Sequence, residues 1–300
     1  MISVKNAVKS FESVMAIRDL SLEIRDGEIF GLVGTNGAGK STLLRMIAGI
    51  IRPDSGEILS DGVRIYENPE IKKEIFYIPD ENYAFPNTVP LEMLRFYMTV
   101  YPEYQEKRFH ELMERFGLEE KRKISTFSKG MKKQLALIFG LCAGTKYLLC
   151  DETFDGLDPV VRQAVKSLIA QEILDRAFTP VIASHNLREL EDFCDTVGLL
   201  HEGGVVLSRD LTELKMHMHK VQCLIPDPEK ESALLQALDT LDVRRQGTIL
   251  IITARGIREE IMEKVQEADP VFSEIIPLSL EEIFISETEV AGYEIKNILF

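Results

Sequence analysis

The stretch Gly34-Thr35-Asn36-Gly37-Ala38-Gly39-Lys40-Ser41 decides the fold, because it matches the pattern G-x-x-x-x-G-K-S at every fixed position. The glycines of this pattern let backbone N–H groups curl around phosphate oxygens, and the helix behind them presents its positive end. Lys40 is expected to reach the β- and γ-phosphates of a nucleotide, and Ser41 to bind Mg²⁺. We therefore predict a nucleotide site in this loop and in Thr42, the first residue after it.

The context of this loop agrees with a nucleotide site. A strand is predicted over Glu28–Val33, directly before the glycines, and a helix over Thr42–Ile50, directly after them. The motif requires this strand–loop–helix junction. The alternative is a chance glycine-rich turn, which the junction disfavours.

Two acids and a histidine follow apolar runs that are typical of buried parallel strands. The run Tyr147–Cys150 ends in Asp151-Glu152, and the run Pro180–Ser184 ends in His185. Asp151 is positioned to hold Mg²⁺ directly or through water. Glu152 can orient or deprotonate an attacking water, the alternative being an ordinary surface acid. His185 is either a structural histidine or a contact to the γ-phosphate.

A polar segment between these motifs, Phe127-Ser128-Lys129-Gly130-Met131-Lys132, opens a predicted helix. Ser128 is a good N-cap for it. The hydroxyl of Ser128 and the free N–H groups that follow form an anion site. Taken alone, the segment is better explained as a simple helix cap.

Together these motifs resemble an ABC-type ATPase, the nucleotide-binding subunit of ABC transporters, over residues 1 to about 210. The resemblance implies an α/β P-loop NTPase cassette: a mixed-sheet core, an antiparallel β flank and a helical subdomain at about residues 86–144. It also implies ATP and Mg²⁺ as cofactors and hydrolysis of ATP by an in-line water.

The resemblance further implies a partner chain. Two cassettes sandwich two ATP molecules head to tail, so Ser128, Lys129 and Gly130 act in trans on the γ-phosphate held by the other subunit. Asp158, in Gly156-Leu157-Asp158, couples the two sites across the dimer. Phe11 matches the aromatic residue that stacks on adenine, and the alternative for Phe11 is a core aromatic.

The sequence departs from the family pattern at three places. Lys129 replaces the first glycine of the usual Leu-Ser-Gly-Gly-Gln signature, as in exporters of the ABC-2 type. Asp80 replaces the usual glutamine after Ile78-Pro79; its carboxylate either binds Mg²⁺ or weakens the site by crowding negative charge. The stretch Thr153-Phe154-Asp155 alters the expected dimer seam.

The net charge and the hydropathy of the chain limit the classes of partner that it can bind. The formal net charge of −14 disfavours nucleic acid, which basic patches bind. No apolar run approaches the length of about 18 residues that spans a bilayer. If a membrane is involved, its spanning part must therefore be another chain. The resemblance to ABC transporters, with its ABC-2-like signature, implies a separately encoded transmembrane permease that this chain drives as an exporter at the inner face of the cell membrane. The alternative is a soluble ABC-type ATPase that is not linked to transport.

Four cysteines without C-x-x-C spacing are predicted to be free buried thiols, as in a reducing cytosol.

Predicted hairpins flank the nucleotide loop, and a second module follows it. Asp26-Gly27 is predicted to join the strands Leu20–Ile24 and Glu28–Val33, and Asp61-Gly62 to join another pair. Tyr83 and Phe85 are candidates for a docking groove.

Residues 211–300 show the order βαββαβ with a final helix, which suggests a ferredoxin-like module. Its predicted role is dimerisation or docking, the alternative being a small-molecule sensor.

Overall fold

The computed structural model describes residues 1–81 and 84–290, without the side chains of Glu189 and residues 287–290. The chain divides into two compact units, Met1–Ser208 and Arg209–Phe300. A six-stranded sheet forms the centre of the first unit. Its strands are β3 (Phe30–Val33), β6 (Ile75–Ile78), β7 (Tyr147–Asp151), β8 (Thr179–Ser184), β9 (Thr196–His201) and β10 (Gly204–Asp210), in the order β10-β9-β3-β8-β7-β6.

The neighbours β9, β3, β8, β7 and β6 are all parallel. All residues of β3, β7 and β8 are buried, which explains why these strands are continuous apolar runs. In the order of the sheet, β8 lies between β3 and β7. The carboxyl ends of these three neighbours therefore meet at one edge, where the segments after them form the candidate site.

A second, antiparallel sheet flanks the first. It contains β1 (Ile2–Phe11), β2 (Val14–Ile24), β4 (Ser55–Ser60) and β5 (Val63–Arg64) in the order β2-β1-β4-β5. The predicted hairpin at Asp61-Gly62 is confirmed, because Ser60 pairs with Val63. The predicted hairpin at Asp26-Gly27 is wrong, since β2 pairs with β1 while β3 pairs with β8 and β9. A turn is present there, but it leads the chain from one sheet into the other, because the fully buried β3 requires two parallel neighbours.

Helices cover the sheets and build the helical subdomain. They are α1 (Lys40–Ile47), α2 (Pro69–Lys72), α3 (Pro90–Val100), α4 (Glu106–Arg115), α5 (Lys129–Cys142), α6 (Pro159–Asp175) and α7 (Leu187–Glu191), with a 3₁₀ turn at Ile124–Thr126. Leu43 and Leu44 of α1 share one apolar core with Ile2 of the flanking sheet and Leu149 of the central sheet. This packing fixes the start of α1 at the end of β3.

The helical subdomain is held to the rest of the first unit by aromatic contacts and by one buried acid. The ring centre of Phe76 on β6 lies 5.3 Å from those of Tyr97 and Tyr101 in the subdomain. Glu172 on α6 is 2% exposed and forms ion pairs with Arg108 of α4 and Arg176. The Glu172 pair with Arg108 therefore joins the subdomain to α6, a helix outside it.

The second unit is a separate α+β module. It contains α8 (Leu211–His217), β11 (Met218–Leu224), α9 (Pro228–Ala237), β12 (Asp239–Gln246), β13 (Ile249–Arg255), α10 (Arg258–Glu267), β14 (Phe272–Ile276) and α11 (Leu280–Val290). Its antiparallel sheet has the order β12-β13-β11-β14, the ferredoxin-like arrangement of a βαββαβ chain. Val221, Ile252 and Val265 belong to its own apolar core.

The cysteines agree with a further expectation. Cys142, Cys150, Cys194 and Cys223 are buried free thiols, as predicted. Among the residues that the structure describes, no helix combines the length and the apolar character that crossing a bilayer demands.

Candidate nucleotide site

The glycine loop enters α1 through a backbone that only glycine adopts easily. Gly39 precedes the first helical residue and has φ 105°. A Cβ atom at Gly39 would lie 2.6 Å from the carbonyl oxygen of Ala16. Both facts exclude a side chain at Gly39, so the loop stays tight and its N–H groups converge ahead of the helix.

Lys40 extends from the start of α1 into the loop. Its side chain is 5% exposed, and its Nζ donates to the carbonyl oxygens of Gly34 at 2.7 Å and Thr35 at 3.3 Å. The same ammonium lies 3.2 Å from Oε1 of Glu152. The predicted phosphate-binding lysine is thus held between the loop and the predicted catalytic acid.

Two oxygen ligands that fit Mg²⁺ lie side by side. Ser41 Oγ donates to Asp151 Oδ1 at 2.9 Å, and Asp151 is 1% exposed. Octahedral Mg²⁺ binds oxygens at about 2.0–2.1 Å, which places adjacent ligand oxygens about 2.9 Å apart. The pair therefore suits the ion that the sequence predicts for these two residues.

A tyrosine that the sequence reasoning missed orients Asp151. The hydroxyl of Tyr77 donates to Asp151 Oδ2 at 3.1 Å. Burial raises the pKa of Tyr77 to about 12, so the phenol keeps its proton and remains a donor. Tyr77 lies on β6, which pairs with β7, and that neighbourhood is the only signal that could have identified it.

Glu152 is held in a strained and nearly buried position. Its φ is 49°, in the left-handed region, and its side chain is 14% exposed. Its Oε2 lies 2.8 Å from Nδ1 of His185. Burial raises the pKa of the Glu152 carboxyl and a hydrogen bond to Asp155 raises it further, while His185 and Lys40 oppose the shift. The alternative of an ordinary surface acid is wrong, and the raised pKa suits a proton acceptor.

His185 joins this cluster from the end of β8. Besides Glu152, its Nδ1 meets Asp155 Oδ2 at 3.3 Å, while about half of the side chain, 54%, stays exposed. The imidazole is therefore tied to the acid on one side and open to a ligand on the other. A direct contact to the γ-phosphate stays a prediction.

The signature residues open α5 as predicted. Ser128 is the N-cap, and its Oγ accepts a hydrogen bond from the N–H of Met131 at 3.1 Å. Lys129 is exposed and Gly130 half-buried. Asp158 caps α6 in the same way through the N–H groups of Val160 and Val161. The action of these residues on a second chain stays a prediction.

The remaining predicted residues differ in their surroundings. Phe11 ends β1 and is 44% exposed, with Lys9 Nζ 5.5 Å from its ring centre, so the core-aromatic alternative is wrong. Asp80 pairs with Lys133 at 3.6 Å. Lys133 is 3% exposed and was missed by the sequence reasoning. Its position one helical turn before the buried Leu137 on α5 was too weak a signal, because Lys129 and Lys132 nearby suggest a solvent-exposed segment.

Comparisons with known proteins agree with this geometry. A protein-family model described as "ABC transporter" matches residues 17–155. The "ABC transporter ATP-binding protein YtrB" of Bacillus subtilis is 33% identical, covering 96% of this chain and 98% of its own. The "Bacitracin transport ATP-binding protein BcrA" of Bacillus licheniformis is 29% identical, covering 85% and 86%.

A solved structure shows the same fold. The "ATP binding subunit of ABC transporter" aligns with a TM-score of 0.66 at 28% identity, covering 72% of this chain and 92% of its own. The region aligned is about the size of the first unit, which contains the site. Since a relative at one-third identity spans nearly the whole chain, the chain belongs to the ABC transporter family, as an ATP-binding subunit that binds and hydrolyses ATP.

Proposed function

We propose that this chain forms one half of a head-to-tail cassette dimer that drives a separately encoded transmembrane permease as an exporter. One observation carries the catalytic part of the proposal: Lys40, Ser41, Asp151, Glu152 and His185 converge from three adjacent strand ends into one cluster. The dimer, the permease and the direction of transport rest on the resemblance to ABC transporters. Such a cluster has a direct use in phosphoryl transfer, where catalysis consists mostly of positioning and charge stabilisation.

The loop residues 34–42 bind the phosphates of ATP, and Phe11 stacks on the adenine. Lys40 leaves its carbonyl partners for the β- and γ-phosphate oxygens. Ser41 and Asp151 hold Mg²⁺, which neutralises charge on those oxygens when it is bound. Tyr77 keeps the carboxylate of Asp151 aimed at that position through its hydrogen bond.

Glu152 receives the proton of the attacking water. The water oxygen forms a bond to the γ-phosphorus, and the bond from that phosphorus to the oxygen of ADP breaks. His185 holds the Glu152 carboxylate through the contact at 2.8 Å and presents its exposed side to the γ-phosphate. The anion site at Ser128, Lys129 and Gly130 closes over the same phosphate from the second subunit, and Asp158 links the two halves.

A groove beside the site supports docking of the permease. It has a volume of 510 Å³ and is lined mainly by apolar and aromatic side chains of the helical subdomain and of the loop after β6. Phe85 and Phe96 line it and stay partly exposed, 41% and 42%. Tyr83, the other predicted groove residue, lies outside the described residues. A helix of a membrane partner that fills this groove would hold the chain at the inner face of the membrane.

Export is the direction that the signature favours. Phe127-Ser128-Lys129-Gly130-Met131 resembles the signatures of ABC-2 exporters, and the direction rests on that resemblance. It is tested in the native host by comparing the small-molecule content of cells that carry the wild-type chain or Lys40→Met. Compounds that accumulate in the variant strain support export, whereas compounds depleted there would indicate import.

The catalytic assignment is tested with Glu152→Gln. Because the amide cannot accept the proton of water, we expect hydrolysis to fall by about 10²–10⁴-fold while ATP binding persists. Light scattering should then show an ATP-dependent dimer. Glu119→Gln, at an exposed acid of the helical subdomain, is the control and should hydrolyse normally. Normal turnover by Glu152→Gln would remove Glu152 from the mechanism.

A further inference from the structure

A buried lysine joins three parts of the ATPase that are far apart in sequence. Lys133 on α5 is 3% exposed. Its Nζ donates to the carbonyl oxygens of Glu152 at 2.5 Å and Asp155 at 2.9 Å, and it lies 3.6 Å from Oδ1 of Asp80. An ammonium has three N–H donors, and a buried one is costly unless it is paired and hydrogen-bonded. Three acceptors from two segments surround this one: two carbonyls after β7 and the carboxylate after β6.

We propose that Lys133 is a positioning residue for ATP hydrolysis, which fixes the backbone of Glu152, and that Asp80 is its counter-ion. The sequence pattern alone indicates no role for Lys133. The two carbonyl contacts belong to the segment that carries the catalytic acid, and the carboxylate contact belongs to the position where the family usually has glutamine.

The backbone of Glu152 explains why it needs such a residue. Its φ of 49° is unfavourable for a residue with a side chain and persists only where neighbours hold it. The N–H of Glu152 donates to the carbonyl oxygen of Ala183 at 3.0 Å, and its own carbonyl accepts from Lys133. These two bonds fix the peptide groups on both sides of the Cα atom. They thereby set the direction in which the carboxylate leaves the backbone toward His185 and Lys40.

Asp80 acts in this arrangement through charge. Its side chain is 54% exposed and follows β6. A distance of 3.6 Å is that of an ion pair rather than of a short hydrogen bond. A carboxylate compensates the buried ammonium, which the usual amide at this position would not do. Asp80 is therefore assigned to Lys133, and not to Mg²⁺ as the sequence allowed.

The link extends to the proposed docking groove, and this step rests on the proposed function. Lys133 follows Ser128 by five residues on α5, and Lys132 and Leu135 of the same helix line the groove. A displacement of α5 or of the loop after Asp80 moves the ammonium relative to the Glu152 carbonyl. Occupation of the groove and the geometry of the catalytic acid are thus connected through one side chain.

The first test separates positioning from binding. Lys133→Met keeps the length of the side chain and removes its donors. We expect kcat to fall roughly tenfold to a hundredfold, since a small misplacement of a catalytic group has effects of this size. The KM for ATP should stay within about threefold, because the phosphate loop is untouched. Lys121→Met, at an exposed lysine of the same subdomain, is the control and should match the wild type.

Hydrogen exchange provides a readout that does not depend on activity. In Lys133→Met the amides of residues 152–156 should exchange faster, while those of α1 should not change. A Lys133 that only packs α5 would instead raise exchange along that helix and raise the KM. Unchanged kcat, or equal losses through KM and kcat, would overturn the positioning role.

The second test concerns Asp80, and its first measurement, in the otherwise wild-type chain, does not depend on whether Lys133→Met folds. Asp80→Asn, at a half-exposed position, should lower kcat by about two- to fivefold and leave the Mg²⁺ concentration for half-maximal activity unchanged. In the Lys133→Met background it should have no further effect. A several-fold higher Mg²⁺ requirement in both backgrounds would make Asp80 a metal ligand and overturn its assignment to Lys133. All of these measurements use the chain without a permease, so failure of the export proposal would not alter them.

Discussion

Removing the buried acid Glu172 should destabilise the ATPase unit far more than removing an exposed acid. Glu172 is 2% exposed, accepts a hydrogen bond from Nε of Arg176 at 2.6 Å and pairs with Arg108 of the helical subdomain. In Glu172→Gln the NH₂ group of the amide faces one of the two guanidinium groups, which are donors themselves and so lose their acceptor. The side chains of Arg108 and Arg176 are 23% and 26% exposed. Breaking one side of a buried ion pair costs about 3–5 kcal/mol, and the partial exposure of both arginines favours the lower end, about 3 kcal/mol.

The assay for Glu172→Gln is scanning calorimetry with and without ATP. Only the unit that binds ATP shifts with the ligand, which identifies its transition among those of the two units. For a unit of this size, about 3 kcal/mol corresponds to a Tm lower by roughly 6–12 °C. The control, Glu111→Gln, removes an exposed acid whose pair with Lys107 is 3.7 Å long, and it should change the free energy of unfolding by less than about 0.5 kcal/mol. A Tm shift for Glu172→Gln no larger than that of the control would refute the reasoning.

Two further predictions concern pH. Burial raises the pKa of Asp26, but hydrogen bonds led by that from Lys146 outweigh it and lower the pKa to about 2. The carboxylate therefore stabilises the fold above about pH 4, and this contribution is lost as the pH falls through about 2. Asp26→Asn should lower the free energy of unfolding at pH 7 by on the order of 1 kcal/mol, after discounting for solvent exposure, and in urea melts this difference should shrink steadily as the pH falls from about 4 to about 2. For Glu152, burial raises the pKa and His185 lowers it. As the pH is lowered, the rate of hydrolysis should therefore decline at a pH above the ordinary pKa of glutamate, and in His185→Ala this decline should move to still higher pH. If the pH–rate profile of His185→Ala declines at the same pH as that of the wild type, His185 does not affect the pKa of Glu152.

Much of the nucleotide site was predictable because it lies where parallel strands end. The loop before Lys40 and the acids after β7 follow short apolar runs, and carboxyl ends of neighbouring parallel strands meet at one edge. Local signals at each run therefore imply a shared location. Helix caps were predictable for the same local reason: Ser128 bonds to the N–H of Met131, three residues away.

The residues that support this cluster could not be read from local pattern. Tyr77 meets Asp151 across 74 positions of sequence, and Lys133 meets Glu152 across 19. Nothing near Tyr77 distinguishes it from a core aromatic, and Lys133 stands in a lysine-rich segment that suggests solvent. The turn at Asp26-Gly27 failed for a related reason: turn chemistry specifies a reversal of the chain, but it does not specify which sheet each flanking strand joins.

Complementation between two inactive variants tests the central claim most directly. Lys40→Met has a defective phosphate loop and an intact signature, and Ser128→Arg has the reverse. In a head-to-tail dimer with C₂ symmetry, an equal mixture contains one intact site in about half of its dimers, so about a quarter of the wild-type rate should return. If the signature acted on ATP bound by its own chain, no mixed dimer would hold an intact site. A mixture no more active than the two variants measured apart would contradict the trans arrangement.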